Sequence, residues 1–157
     1  MAEAEKVILT NMCMVYNGNN VLVLNRLDDK WKGLTFPGGH IERCESFTDA
    51  VIREVKEETG LTLTSYKYRG IVTFISDVWE TEYMHLFTAD KFTGTIITCS
   101  EGTLEWVDND ILYSLPTWEG DRIFLELIRK DAPFFSLKLE YQGEALVSAV
   151  LDGKKIR

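Results

Sequence analysis

The chain has 157 residues and a mass of 18.0 kDa, 45% hydrophobic and 27% charged, the size and mixture expected of one globular domain over residues 1–157. Its formal net charge of −8 and pI near 4.8 exclude a sequence-independent grip on nucleic acid, which works by neutralising phosphates with Lys and Arg. No run approaches the ~20 consecutive apolar residues that a bilayer crossing needs, and the polar, acidic start lacks the basic and apolar regions of a secretory signal, so a cytoplasmic protein is expected.

Residues 7–16 are rich in apolar and β-branched side chains, and after the turn Asn17-Gly18-Asn19-Asn20 the run 21–25 resumes the pattern, a hairpin signal. The polar stretch 26–34 leads into Phe36-Pro37-Gly38-Gly39, a loop closing on a tight backbone feature. Ser46 with Asp49 three residues later resembles a capping box. Phe47, Ala50, Val51 and Val55 have the spacing of one helical stripe that Gly60 ends, so a helix is predicted over 47–59. Strand-like runs follow within 62–78 and 82–89, with shorter ones at 94–98 and 105–107. A second helix is predicted over 121–130 from the spacing of Ile123, Phe124, Leu127 and Ile128, and a closing hairpin from 134–141 and 145–151 around Gln142-Gly143-Glu144. Together these predict an α/β (α+β) domain in which helices cover a mixed sheet. Cys13, Cys44 and Cys99 are an odd number in separate contexts, which reads as free thiols.

The first helix carries an arrangement that costs free energy. Glu54, Glu57 and Glu58 fall within about 100° of arc on one face. Two of them, Glu54 and Glu58, lie on the stripe that otherwise packs inward. All three occupy the last turns, where the helix dipole disfavours negative charge by ~0.3 to 1 kcal/mol each. A solvated acidic face with Arg53 and Lys56 as local partners is one reading. A bound divalent cation reverses all three penalties, and Mg²⁺ favours a few carboxylates plus waters and substrate phosphates.

The surrounding string decides between them. Gly39-x5-Glu45-x7-Arg53-Glu54-Val55-x-Glu57-Glu58-x-Gly60-Leu61 resembles the signature of the Nudix hydrolase family over residues 39–61, with chance odds of roughly one in a billion at average residue usage. The resemblance implies an α/β/α sandwich with a mixed sheet between helices, and hydrolysis of a nucleoside diphosphate linked to another group. By the same resemblance Gly38 offers its carbonyl to Mg²⁺, with Mn²⁺ as a possible substitute. Glu54, Glu57 and Glu58 bind the metal directly or through water, and Arg53 pairs with Glu45 to orient the helix.

Hydrolysis of a phosphoanhydride also needs an acceptor for the water's proton. Glu54 is assigned that role, with Glu57 or Glu101 as alternatives. Arg26, at the end of the second strand, and His40, beside the metal loop, are candidate phosphate contacts; plain surface exposure accounts for each equally well.

Outside the box, Gly94-Thr95, Glu101, Glu105-Trp106-Val107, the stretch Leu115-Pro116-Thr117-Trp118-Glu119-Gly120-Asp121 and the run 134–143 resemble the branch of the family that hydrolyses oxidised purine nucleoside triphosphates. That resemblance makes Glu101 a further metal carboxylate, Trp118 a stacking platform for the base and Asp121 its hydrogen-bonding partner. A packing tryptophan and a first-turn aspartate are the alternatives. Trp31 is a second pocket wall or a lid on the core. Gly120 and Lys32 depart from the branch, which has an acidic residue and an Asn there, so the base that is read stays open.

The expected activity is Mg²⁺-dependent conversion of a nucleoside triphosphate such as 8-oxo-dGTP to the monophosphate and pyrophosphate. The alternatives are hydrolysis of ADP-ribose or a dinucleoside polyphosphate, or a nucleotide-sensing domain without catalysis. A small-molecule nucleotide is the expected partner, with neither nucleic acid nor membrane.

Overall fold

The structure is a computed structural model that describes residues 3–26, 34–98 and 102–157, of Arg26 and Leu34 the backbone alone. Trp31, Lys32, Cys99, Glu101 and the side chain of Arg26 lie outside the described residues.

The first hairpin joins β1 (Val7–Asn17) to β2 (Asn20–Arg26). Asn17 pairs with Asn20, and Gly18, at φ 60°, opens the two-residue turn with the positive φ that matches the strands' twist. The chain continues through β3 (Leu34–Thr35), β4 (Gly38–His40), helix α1 (Phe47–Thr59), the long strands β5 (Thr62–Ser76) and β6 (Thr81–Thr93), β7 (Gly102–Asp108) and the single turn α2 (Asn109–Leu112). Helix α3 (Asp121–Arg129) and strands β8 (Phe135–Gln142), β9 (Ala145–Leu151) and β10 (Lys154–Lys155) complete it.

The strands form one mixed sheet in the order β10-β9-β8-β5-β6-β1-β2-β3, with β4 attached to β1 and β7 to β2. The β1–β6 and β5–β8 pairs are parallel and the others antiparallel. Side chains alternate across β1: Cys13 and Val15 enter a core closed by Val51 and Val55 of α1, whereas Met14 enters one closed by Phe124, Leu125 and Ile128 of α3. Period-2 alternation on strands thus meets one helical stripe on each face, giving the α/β/α layering.

Local chemistry explains the limits of α1. Ser46 Oγ accepts from the Asp49 amide at 2.9 Å and Asp49 Oδ2 accepts from the Ser46 amide at 3.1 Å, a reciprocal capping box. Gly60 ends the helix at φ 84°, in the left-handed region that glycine adopts freely. The short strand predicted at 94–98 does not form. The Ile97 amide donates to the Thr59 carbonyl at 2.9 Å, so this segment satisfies an open helix end instead of extending a ladder. Ser46→Ala should cost about 1 kcal/mol of folding free energy, read as a lower urea midpoint with an unchanged slope.

Candidate active site

The densest polar constellation among the box residues lies where β4 passes between β1 and α1. Gly38 and Gly39 pair with Met12 and Asn11, and a side chain at either would crowd a neighbour, backbone at Gly38 and the Glu54 side chain at Gly39. A Cβ on Gly38 would overlap the Asn11 carbonyl oxygen, and one on Gly39 would stand 2.6 Å from the Glu54 carboxylate. The two glycines therefore let the strand and the helix approach closely. The Gly38 amide donates to Glu58 Oε2 at 3.0 Å and the Gly39 amide to Asn11 Oδ1 at 3.3 Å, so β4 is tied to both neighbours.

Arg53 is the hub of the acids. Its Nε and Nη2 donate to the two Glu45 oxygens at 2.7 and 2.9 Å, a bidentate pair. Its Nη1 donates to Glu54 Oε1 at 2.9 Å and Glu57 Oε2 at 3.1 Å, and Nη2 also donates to the His40 carbonyl at 3.1 Å. The Arg53 guanidinium, helped by the Glu42 amide, holds the Glu45 carboxyl below the usual carboxylate range; in return the hydrogen bonds to Glu45 and Glu54 push the Arg53 guanidinium further up. The side chain of Glu54 is 15% exposed and that of Glu57 60%, so one acid is enclosed under the β4 loop and the other faces solvent. The His40 side chain is exposed.

Among the described residues no three His, Cys, Asp or Glu side chains converge as a preformed metal cage. The donor set nevertheless suits Mg²⁺, which takes one or two carboxylates and fills its remaining positions with water and phosphate. Glu58 accepts from the Gly38 amide, Glu54 lies against Gly39 and Glu57 pairs with Arg53, and one guanidinium shared by several carboxylates leaves the locus anionic.

A second constellation sits on the other face of β1. Thr10 and Asn11 are consecutive, buried and polar in an otherwise apolar strand. Asn11 points toward Gly39, whereas Thr10 Oγ1 donates to Glu82 Oε2 at 2.8 Å. Near Glu82, at the start of α3, Asp121 Oδ2 accepts from Thr117 Oγ1 at 3.4 Å. Burial, opposed by that hydrogen bond and reinforced by the Glu82 charge, pushes the Asp121 carboxyl up to about 7. Trp118 is half-buried and meets Tyr141 edge-on, ring centroids 5.4 Å apart, while the Tyr141 hydroxyl accepts from the Gly120 amide at 2.8 Å. Gly120 is the N-cap of α3 and supplies no side-chain cap, and Asp121 is the acidic residue of the helix's first turn. Thr10, Asn11 and Glu82 were not singled out in the sequence, although two adjacent polar residues interrupting a hydrophobic strand were a legible signal.

The Asp121 shift has a definite sign. Its folded pKa lies above the unfolded one, so the native state holds a proton the unfolded chain has lost, and stability contributed by this group falls as pH rises from about 4 to about 7. Asp121→Asn should therefore raise the melting temperature at pH 8 more than at pH 4, measured against the parent chain in the same buffers.

The NUDIX domain family model matches residues 8–128. The chain belongs to the Nudix family. Members of this family hydrolyse pyrophosphate bonds of small nucleotide substrates and generally use divalent metal ions such as Mg²⁺. The chain is similar to an uncharacterized Nudix hydrolase, YvcI, of Bacillus subtilis, 34% identical over 151 residues covering 92% of this chain and 94% of that protein. It is 28% identical over 145 residues to an oxidized purine nucleoside triphosphate hydrolase of Danio rerio, covering 89% of this chain and 90% of that one. The crystal structure of a MutT protein from Bacillus halodurans superposes with a TM-score of 0.83 at 26% identity, covering 92% of this chain and 97% of that one. No helix among the described residues is long and apolar enough to cross a membrane.

Proposed function

We propose that this Nudix hydrolase is a Mg²⁺-dependent nucleotide pyrophosphohydrolase that converts oxidised purine nucleoside triphosphates, 8-oxo-dGTP in the first place, to the monophosphate and pyrophosphate. One observation carries the reading: adjacent residues of β1 serve two unlike constellations, the glycine loop beside the box acids on one face and the Trp118–Asp121 corner on the other. A nucleotide has the same division between an anionic end and a planar one.

In this proposal Gly38, through its carbonyl, with Glu54, Glu57 and Glu58 holds Mg²⁺ or Mn²⁺, and Glu101 supplies a further carboxylate. The bound cation neutralises phosphate charge and polarises the bond that breaks. Glu54 accepts the proton of the attacking water as a new P–O bond forms and the α–β anhydride breaks, releasing pyrophosphate. Arg53 and Glu45 set the orientation of α1, and Arg26 and His40 contact the phosphates. Trp118 stacks on the base, with Trp31 as a second wall. A carboxyl poised near neutrality at Asp121 can donate to a base carbonyl and accept from a ring N–H, which suits an oxidised purine.

The test is a panel of 8-oxo-dGTP, dGTP, ADP-ribose and a dinucleoside polyphosphate assayed with Mg²⁺ and with product analysis. The expected result is a kcat/KM for 8-oxo-dGTP at least about tenfold above that for dGTP, the discrimination one additional hydrogen bond supplies. Equal values overturn the substrate assignment. Preference for ADP-ribose or the dinucleoside moves the activity within the family, and no turnover of any of them overturns it altogether.

A further inference from the structure

Two buried polar atoms lie unpartnered beside the acid site. Asn11 and His85 are 4% and 2% exposed and face each other in register across the parallel β1–β6 pair, so both side chains point to the α1 face. The Gly39 amide is a donor, so the Asn11 atom it meets is Oδ1, which leaves Nδ2 as the amide end. That Nδ2 makes no hydrogen bond among the described residues, nor does His85 Nε2. Buried polar atoms without partners are uncommon and costly, and these two stand at paired register positions on the same side of the sheet.

The rest of the His85 ring is closely held. Its Nδ1 is hydrogen-bonded to the Tyr68 hydroxyl, and its face stacks on Phe47, the first residue of α1, with centroids 3.6 Å apart. Tyr68 in turn stacks on Phe87 at 4.6 Å and meets Phe134 edge-on at 5.0 Å. From Tyr68 through His85 and Asn11 to Gly39, a line of polar groups crosses the sheet beneath α1, interrupted only between Asn11 Nδ2 and His85 Nε2.

We propose that a buried water bridges Asn11 Nδ2 and His85 Nε2, and that Asn11 and His85 are thereby positioning residues for the Gly38–Gly39 peptide of the metal loop. One N–H of Asn11 Nδ2 donates to the water oxygen, the water donates to His85 Nε2, and His85 Nδ1–H donates to the Tyr68 oxygen; both nitrogens that lack a partner then have one, with the histidine neutral. A buried water commonly satisfies polar groups that otherwise lack a partner in this way. Its effect on the loop follows from peptide planarity: Asn11 Oδ1 anchors the Gly39 N–H, and in a trans peptide the Gly38 carbonyl then points the opposite way. The line of hydrogen bonds that keeps Asn11 in place therefore aims that carbonyl. Groups behind metal ligands act in this way, and their loss typically weakens metal affinity about 10- to 100-fold.

This inference rests on the reading that Gly38 and the box acids hold a divalent cation, and its test uses no nucleotide. Mn²⁺ affinity is measured on the full chain by electron paramagnetic resonance for the parent, Asn11→Ala, His85→Phe and the double variant. His85→Phe keeps a ring against Phe47 while removing both nitrogens. The expected result is a loss of about tenfold or more in each single variant, with the double variant no weaker than the worse single. Parent-like Mn²⁺ affinity in either folded variant, or losses that multiply in the double, overturns the positioning role, whatever happens to melting temperature. If neither variant folds, a high-resolution crystal structure of the parent decides: ordered water density between the two nitrogens supports the proposal and its absence overturns it. A chain that passes these tests yet shows no preference for 8-oxo-dGTP leaves this inference standing while the substrate reading falls.

Discussion

Glu54→Gln is expected to lower Mg²⁺-dependent kcat by about 10²- to 10⁴-fold, the usual contribution of a positioned proton acceptor, while the chain stays folded. The structure separates these two outcomes. Glu54 is an enclosed acid of the box, lying against Gly39 with Oε1 bonded to Arg53, and a glutamine preserves both its volume and an oxygen for that bond. What it removes is the charge and the ability to take a proton. Folding free energy should change by less than about 1 kcal/mol, because Arg53 retains the bidentate Glu45. Glu57→Gln provides the comparison, since Glu57 is mostly exposed. If Glu54→Gln turns over at the parental rate while Glu57→Gln does not, the proton acceptor moves to Glu57; parental rates in both variants remove the carboxylate mechanism.

Gly38→Ala should cost about 1 to 3 kcal/mol or more of folding free energy, visible in urea unfolding, and abolish turnover as well. The added methyl would overlap the Asn11 carbonyl oxygen and stand 2.8 Å from Met12 Cα. Both neighbours are backbone atoms of a strand at the centre of the sheet, so no rotamer change relieves the clash and β4 must leave β1. Gly39→Ala makes an instructive contrast: its methyl meets the Glu54 carboxylate, a side chain that can swing aside. The expected outcome there is a smaller stability loss with activity equally absent. Parent-like stability for Gly38→Ala would show that β4 is not held as closely as the geometry requires.

What could be read from the sequence was local. The limits of α1 follow from a capping box at Ser46 and Asp49 and a left-handed glycine at 60, each decided within four residues, and the two hairpins follow from turn chemistry of the same range. The acids at 54, 57 and 58 were legible because their placement opposes helix electrostatics. The illegible parts depend on residues distant in the chain. Gly94–Thr98 has a strand's composition, but its Ile97 amide is taken by the end of a helix nearly forty residues earlier. Glu82 acquires its significance from Thr10 and Asp121, and His85 from Asn11, Phe47 and Tyr68; no spacing rule connects such positions. The pair Thr10-Asn11 was visible, and it marked the strand on which both constellations depend.

That strand has an implication for how such a protein can change. Because neighbouring residues of β1 look to opposite sides, the proposed division of roles would let substitutions facing α3 alter which base is admitted without disturbing the acids facing α1. A one-residue slip of the same strand would exchange the two sets and ruin both. Under the proposed function, substrate preference would thus be free to drift while the chemistry stays put, on condition that the β1–β6 pairing keeps its alignment.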